Sequence, residues 1–239
     1  MPNEEYFKWF STRLDRDMEM LVYGTKGAPV IVCPTSTARF FEWKDSGMIE
    51  ALADKIDAGF IQLYCVDSVG IESWYNEQIA PPARVARHNA WEAYLIEEAL
   101  PFIRARNANE FLITVGASFG AFLAVNFALK HPDLVRKAVG LSGSYSIRQL
   151  LNGHFDDDAY FNNPVDYMAN LTDERLLELI RRVEIFLVTS DLDIAICRER
   201  TYDLSRVLSE RGIPHRLDDW GGQTVHDWPV WRRMIREYL

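Results

Sequence analysis

The sequence predicts an α/β fold, a mostly parallel sheet with helices on both faces. Three observations carry this. Short β-branched, apolar runs such as Pro29–Cys33, Phe111–Val115 and Glu184–Thr189 recur along the chain. Helix-patterned segments separate them, as an alternating β/α architecture requires. The run Phe111–Val115 also passes through Gly116-Ala117-Ser118-Phe119-Gly120 straight into a helix-patterned stretch.

Taken in order, Met18–Tyr23 reads as an edge strand and Pro29–Cys33 as the next, opening into Pro34–Arg39. A helix is expected from about Met48 to Ile56, and Phe60–Val66 is again a strand. Ala83–Ala108 is long and helical, with Trp91, Leu95 and Phe102 on one face and Pro101 expected to kink it. After the Phe111–Val115 strand, Ala121–Lys130 sets Ala121, Phe122, Val125, Ala128 and Leu129 on an apolar stripe. Lys137–Ser142 is a further strand. The stretch from Ser144 to about Leu171 breaks the alternation, being rich in Asn, Asp and aromatics and long for a connection. It is expected to form a small cap insertion at about 144–171 bearing Tyr160 and Phe161 towards the site; the alternative is an excursion packed on the surface. The Glu184–Thr189 strand, the Cys197–Arg211 helix, the Pro214–Trp220 strand and the Trp228–Leu239 helix complete the chain. No linker or repeat interrupts it, so residues 1–239 are expected to be one domain.

A G-x-S-x-G between a strand and a helix is a nucleophile elbow: the turn lifts the serine clear of the strand, and the glycines let strand and helix approach. Ser118 is therefore the candidate nucleophile. A serine hydroxyl needs a base, and that base an orienting acid, in the chain order Ser, Asp or Glu, His on this scaffold. The last strand-to-helix loop supplies His226. His131 precedes Pro132 at a helix end, His215 sits in a strand, His154 in an acidic stretch and His88 on the long helix, so each suits a structural role better. The acid follows the Glu184–Thr189 strand, where open α/β sheets bind ligands. Asp193 is preferred there, with Asp191 as the alternative and otherwise a turn-capping residue. Asp218 and Asp219 read as structural.

Developing negative charge needs amide donors. Phe119, following the nucleophile at a helix N-terminus, offers one. Ser36 or Thr37, in the loop after Cys33, offers the second, unless that loop is only a hydroxyl-rich turn. Trp74 is a candidate pocket wall, Trp228 a weaker one, and both suit a core role as well.

Several separated segments together resemble the esterase family of the α/β-hydrolase superfamily that includes esterase D-like and polyhydroxyalkanoate depolymerase-like proteins. They are Pro34-Thr35-Ser36 with Arg39-Phe40-Phe41, Val66-Asp67-Ser68 with Glu72-Ser73-Trp74-Tyr75-Asn76, the elbow, Tyr160-Phe161-Asn162-Asn163-Pro164, and His226-Asp227-Trp228-Pro229. The resemblance implies an α/β-hydrolase fold and hydrolysis of small carboxylic esters through Ser118, Asp193 and His226 by way of an acyl-enzyme. Ser190 stands where relatives usually have glycine, which keeps Asp191 in play. Two rivals stay open: an acyltransferase using the same three residues, and a non-catalytic binding protein on the same fold.

Composition narrows partners. The net charge of −9 disfavours nucleic acid and anionic membranes. No run of 18 or more apolar residues is present, and Met1–Glu5 is unlike a signal peptide. The three cysteines, Cys33, Cys65 and Cys197, make no even disulfide framework, which points to a reducing cytoplasm. No metal-ligand spacing, Walker pattern or G-x-G-x-x-G occurs, so neither metal nor cofactor is expected. The expected partner is a small ester; a homo-oligomer is left open.

Overall fold

The structure, a computed structural model, describes residues 2–239. Its strands are β1 (Glu4–Ser11), β2 (Arg16–Tyr23), β3 (Ala28–Cys33), β4 (Ile61–Val66), β5 (Ile113–Ala117), β6 (Lys137–Leu141), β7 (Glu184–Leu192) and β8 (Arg216–Val225). They form a single sheet in the order β1-β2-β4-β3-β5-β6-β7-β8. Every pairing from β4 to β8 is parallel, and the β1–β2 hairpin joins β4 antiparallel.

Side chains on β3 alternate between two cores, as a period of two requires. Val30 and Val32 face a core closed by α1 (Glu42–Asp45), α2 (Met48–Ala51), α3 (Ala53–Asp57) and α11 (Trp228–Tyr238). Ile31 and Cys33 face the core of α4 (Pro81–Tyr94), α5 (Leu100–Arg106), α6 (Phe119–Lys130) and α10 (Ala195–Glu210). Phe119 to Leu129 of α6 are all buried, so the helix is enclosed on every side rather than along a stripe. Asn126 tolerates this because Tyr167 donates a hydrogen bond to its Oδ1 at 2.9 Å.

Four elements depart from expectation. The N-terminal β1, not expected from the sequence, pairs with β2, and its Phe7 and Trp9 pack on Phe102 while Glu4, Tyr6, Lys8 and Phe10 face outward. The long helix passes from α4 to α5 through a π-turn at Leu95–Ala99, just ahead of Pro101. A wider turn accommodates a residue that donates no backbone hydrogen bond. The helix expected near 48–56 is two short ones, α2 and α3, and β8 runs on through Gly221 to Val225 past an irregularity opposite Ser190–Leu192.

The 144–171 stretch holds α7 (Asp157–Tyr160) and α8 (Pro164–Asn170), with α9 (Glu174–Ile180) after it. Tyr145, Ile147, Leu151, Ala159 and Met168 sink into the core of α4–α6 and α10. No helix is long and apolar enough to cross a membrane among the described residues.

This topology fixes where a site can form. The chain goes from β3 outward to β4, then returns to the other side of β3 for β5. Parallel sheets open a crevice at the carboxyl ends of strands where the order reverses. That places it between the loop after β3 and the turn after β5, which holds Ser118.

Candidate active site

Ser118 sits at φ 54°, ψ −124°, a conformation a non-glycine residue rarely adopts. Its neighbours show why the motif needs glycine. A Cβ on Gly116 would lie 2.2 Å from the Gly120 backbone, and one on Gly120 would lie 2.4 Å from the Cys33 carbonyl oxygen. The Ser118 N–H donates to Leu141 O at 2.8 Å, and Thr114 Oγ1 donates to Ala124 O at 2.9 Å, tying strand to helix.

His226 follows β8 directly, and Asp227 starts α11 by accepting from the Trp228 N–H. His226 Nε2 lies 3.0 Å from Ser118 Oγ, and its Nδ1 lies 2.5 Å from Asp193 Oδ1. The His226 ring packs edge-on against Trp231, with centroids 4.8 Å apart. Asp193 sits in the turn after β7. Its side chain is fully buried and accepts from the Ile194 N–H at 2.8 Å and Thr189 Oγ1 at 3.3 Å. Burial works to raise its pKa, but hydrogen bonds from His226 and Ser142 and the His226 charge outweigh it, leaving the carboxyl below its ordinary value.

Asp191 is otherwise engaged. Its carboxylate accepts from the N–H groups of Gln223 and Thr224, at 3.0 and 2.9 Å, where β8 runs past β7. It therefore caps backbone across the sheet. Ser190, where the sequence resemblance led one to expect glycine, is buried in β7 and is not among the residues with positive φ, so no glycine is required there.

The other histidines are committed elsewhere. His131 bonds Glu92, His154 bonds Asp156, and His215 bonds Ser205 and the Ile213 carbonyl. Asp218 accepts from Tyr238, and Asp219 from Arg198 and Tyr202. His88 is buried against Trp74, Trp91 and Phe122, and that burial lowers its pKa to about 4.

The loop after β3 reaches the elbow because Cys33 pairs in register with Gly116. Thr35 is held there by its N–H and hydroxyl, both donating to the Glu42 carboxylate. Behind it, Arg39 grips the buried Asp67 carboxylate with bonds of 3.2 and 2.8 Å, and Ser68 donates to Ala38 O at 2.8 Å. Ser36 has a φ of 22°, and Tyr75 donates to its Oγ at 3.1 Å. The amides of Ser36, Thr37 and Phe119 thus belong to two segments in backbone contact beside Ser118.

A family model described as "Putative esterase" matches residues 11–238. The chain belongs to that esterase family. Among solved structures, the chain superposes on a ferulic acid esterase with a TM-score of 0.80 at 16% identity, covering 99% of this chain and 96% of the other. It superposes on S-formylglutathione hydrolase FrmB from Staphylococcus aureus with a TM-score of 0.72 at 14% identity, covering 99% and 95%. For a ferulic acid esterase of Anaeromyces mucronatus in complex with ferulic acid, the figures are 0.71 at 13%, covering 99% and 89%. At these identities the likeness shows a shared fold, the α/β-hydrolase fold. No curated protein sequence matches the chain.

For this esterase-family chain, the expected pocket residues fall in different places. Tyr160 and Phe161 do not face the elbow. They line a surface pocket with Leu129, Lys130 and His131 at the C-terminal end of α6, whereas Ser118 precedes its N-terminus. At 1.5 Å per residue the two ends of this helix lie about 16 Å apart. Trp74 is 1% exposed, packs on His88 and Phe122, and is a core residue. It does border a narrow void shared with Phe119, Leu123 and Gly70. Trp228 packs edge-on against Trp231, one shell behind His226. Among the described residues, no three His, Cys, Asp or Glu side chains gather into a metal-ligand set.

Sequence reasoning missed two supports of Asp193. Ser142, directly after β6 at φ 55°, lies near enough to the Asp193 carboxylate to help lower its pKa, and accepts from Trp231 Nε1 at 3.0 Å. Trp231 thereby touches both Ser142 and the His226 ring. A serine ending an apolar strand at the sheet's carboxyl edge was the available signal for Ser142; nothing local marked Trp231.

Proposed function

We propose that the protein hydrolyses small carboxylic esters by acyl transfer to Ser118. The carrying observation is the continuous hydrogen-bonded line Ser118–His226–Asp193, with spacings of 3.0 and 2.5 Å. His226 takes the Ser118 proton as Oγ attacks the ester carbonyl carbon. The carbonyl oxygen becomes an oxyanion held by the Phe119 amide and by Ser36 or Thr37. As the tetrahedral intermediate collapses, His226 gives the proton to the leaving alkoxide, releasing an alcohol. Water then attacks the acyl-serine, again giving its proton to His226, and the carboxylic acid leaves as Ser118 is restored. Asp193 holds the imidazole with Nε2 towards the serine and stabilises the imidazolium.

Membership of the esterase family supports the reaction class.

The test is hydrolysis of p-nitrophenyl acetate, butyrate and octanoate by the wild type and by Ser118→Ala. The expected result is activity on the short esters, falling with acyl length and lost by about a thousandfold or more in the variant. Undiminished activity in a folded variant would overturn the assignment. Faster product formation with an added alcohol would point to acyl transfer.

A further inference from the structure

Both segments that supply candidate oxyanion donors touch one side chain that the mechanism above does not use. Tyr75 donates its hydroxyl proton to Ser36 Oγ at 3.1 Å, and its ring stands edge-on to Phe119 with centroids 5.2 Å apart. We propose that Tyr75 is a positioning residue which holds the Ser36–Thr37 loop and the Phe119 segment in register for the oxyanion; this rests on the acyl-transfer reading above.

Three features make the link rigid. The Tyr75 N–H donates to Gly70 O at 3.1 Å, and Trp74 beside it is fixed in the core. Gly70 in turn lies so close to Ser36 that a Cβ there would sit 2.0 Å from its carbonyl oxygen. The loop is therefore gripped from its backbone by Gly70 and from its side chain by Tyr75. Ser36 also holds a φ of 22°, a conformation that persists only where neighbours enforce it. Loss of the Tyr75 hydroxyl removes one of those neighbours and lets the second amide drift relative to the first. An oxyanion donor acts only at hydrogen-bonding distance from the position the oxyanion will occupy, so small drift weakens the transition state without touching Ser118, His226 or Asp193.

Tyr75→Phe keeps the ring against Phe119 and removes only the hydroxyl, while Ser36→Ala removes the acceptor and keeps the amide. Each is expected to lower kcat on p-nitrophenyl acetate by about three- to thirtyfold with KM changed less than about twofold. The double variant should be no slower than the slower single one, because both remove the same bond. Labelling by a fluorophosphonate, whose phosphoryl oxygen uses the same donors, should slow in parallel. Circular dichroism melts check that all three variants fold. Labelling and kcat within twofold of wild type in Tyr75→Phe, or effects that multiply in the double variant, would overturn the inference alone. Failure of the wild type to label at all would overturn the serine-nucleophile reading and this inference with it.

Discussion

A serine hydroxyl is scarcely ionised at neutral pH, so the chemistry depends on what stands beside Ser118. Asp193 meets His226 and Asp191 does not, which separates two acids lying two residues apart. Asp193→Asn should cut kcat by roughly a thousandfold or more, because the amide favours the wrong imidazole tautomer. Asp191→Asn should leave most of the activity and act mainly on stability, since its carboxylate caps the Gln223 and Thr224 amides. Parallel kinetics and melting curves check both. The three central residues were legible because a spaced motif, a strand end and a late loop are local features of sequence. Ser142 and Trp231 were not, because their contact joins residues 89 positions apart and has no local signature.

The elbow turns on two glycines rather than on the serine alone. Gly120→Ala would drive a Cβ into the Cys33 and Pro34 carbonyls, backbone atoms that cannot swing aside. It should cost about 3 kcal/mol or more and lower the soluble yield. Gly221→Ala meets nothing within 4 Å and has no positive φ, so it should stay within about 0.5 kcal/mol of wild type in urea unfolding. The same scale shows where pattern reading stops. The buried parallel strands were plain from their apolar runs. By contrast, Glu4, Glu5 and Lys8 of β1 masked an edge strand, and Pro101 announced an irregular helix without revealing that a π-turn absorbs it. The extension of β8 through Gly221 and Gly222 was hidden too, since paired glycines read as a loop.

Across the whole molecule, the sheet order places the loop after β3, Ser118, Ser142, Asp193 and His226 together at one edge, though they are spread over much of the chain. The sheet could be anticipated from the alternation of elements. The site of Tyr160 and Phe161 could not, because the packing of the 144–171 stretch against α6 depends on contacts that sequence distance conceals. Burial also gives the fold an acid-sensitive point. His88, whose pKa burial lowers to about 4, faces Glu92 from its own helix, Lys130 from α6 and Asn162 beyond α7. Between an unfolded pKa of about 6.5 and that value, the unfolded chain takes up a proton that the native one refuses. Stability should therefore fall as pH drops from 6.5 towards 4, by up to on the order of 3 kcal/mol, and this contribution levels off below. Glu92, whose pKa is lowered to about 2 by His131 and Lys130 against the opposing effect of burial, adds a separate loss below about 4.5. Urea unfolding at pH 7 and pH 4.5 should show a smaller drop in His88→Phe than in the wild type.

The most direct measurement is to quench the protein with acid during turnover of p-nitrophenyl acetate and map the acetyl group by peptide mass spectrometry. Acyl transfer through the elbow predicts one acetyl group on Ser118 in the wild type and none at that position in Ser118→Ala. Steady hydrolysis with the acetyl group on another residue, or undiminished hydrolysis by Ser118→Ala, would contradict it.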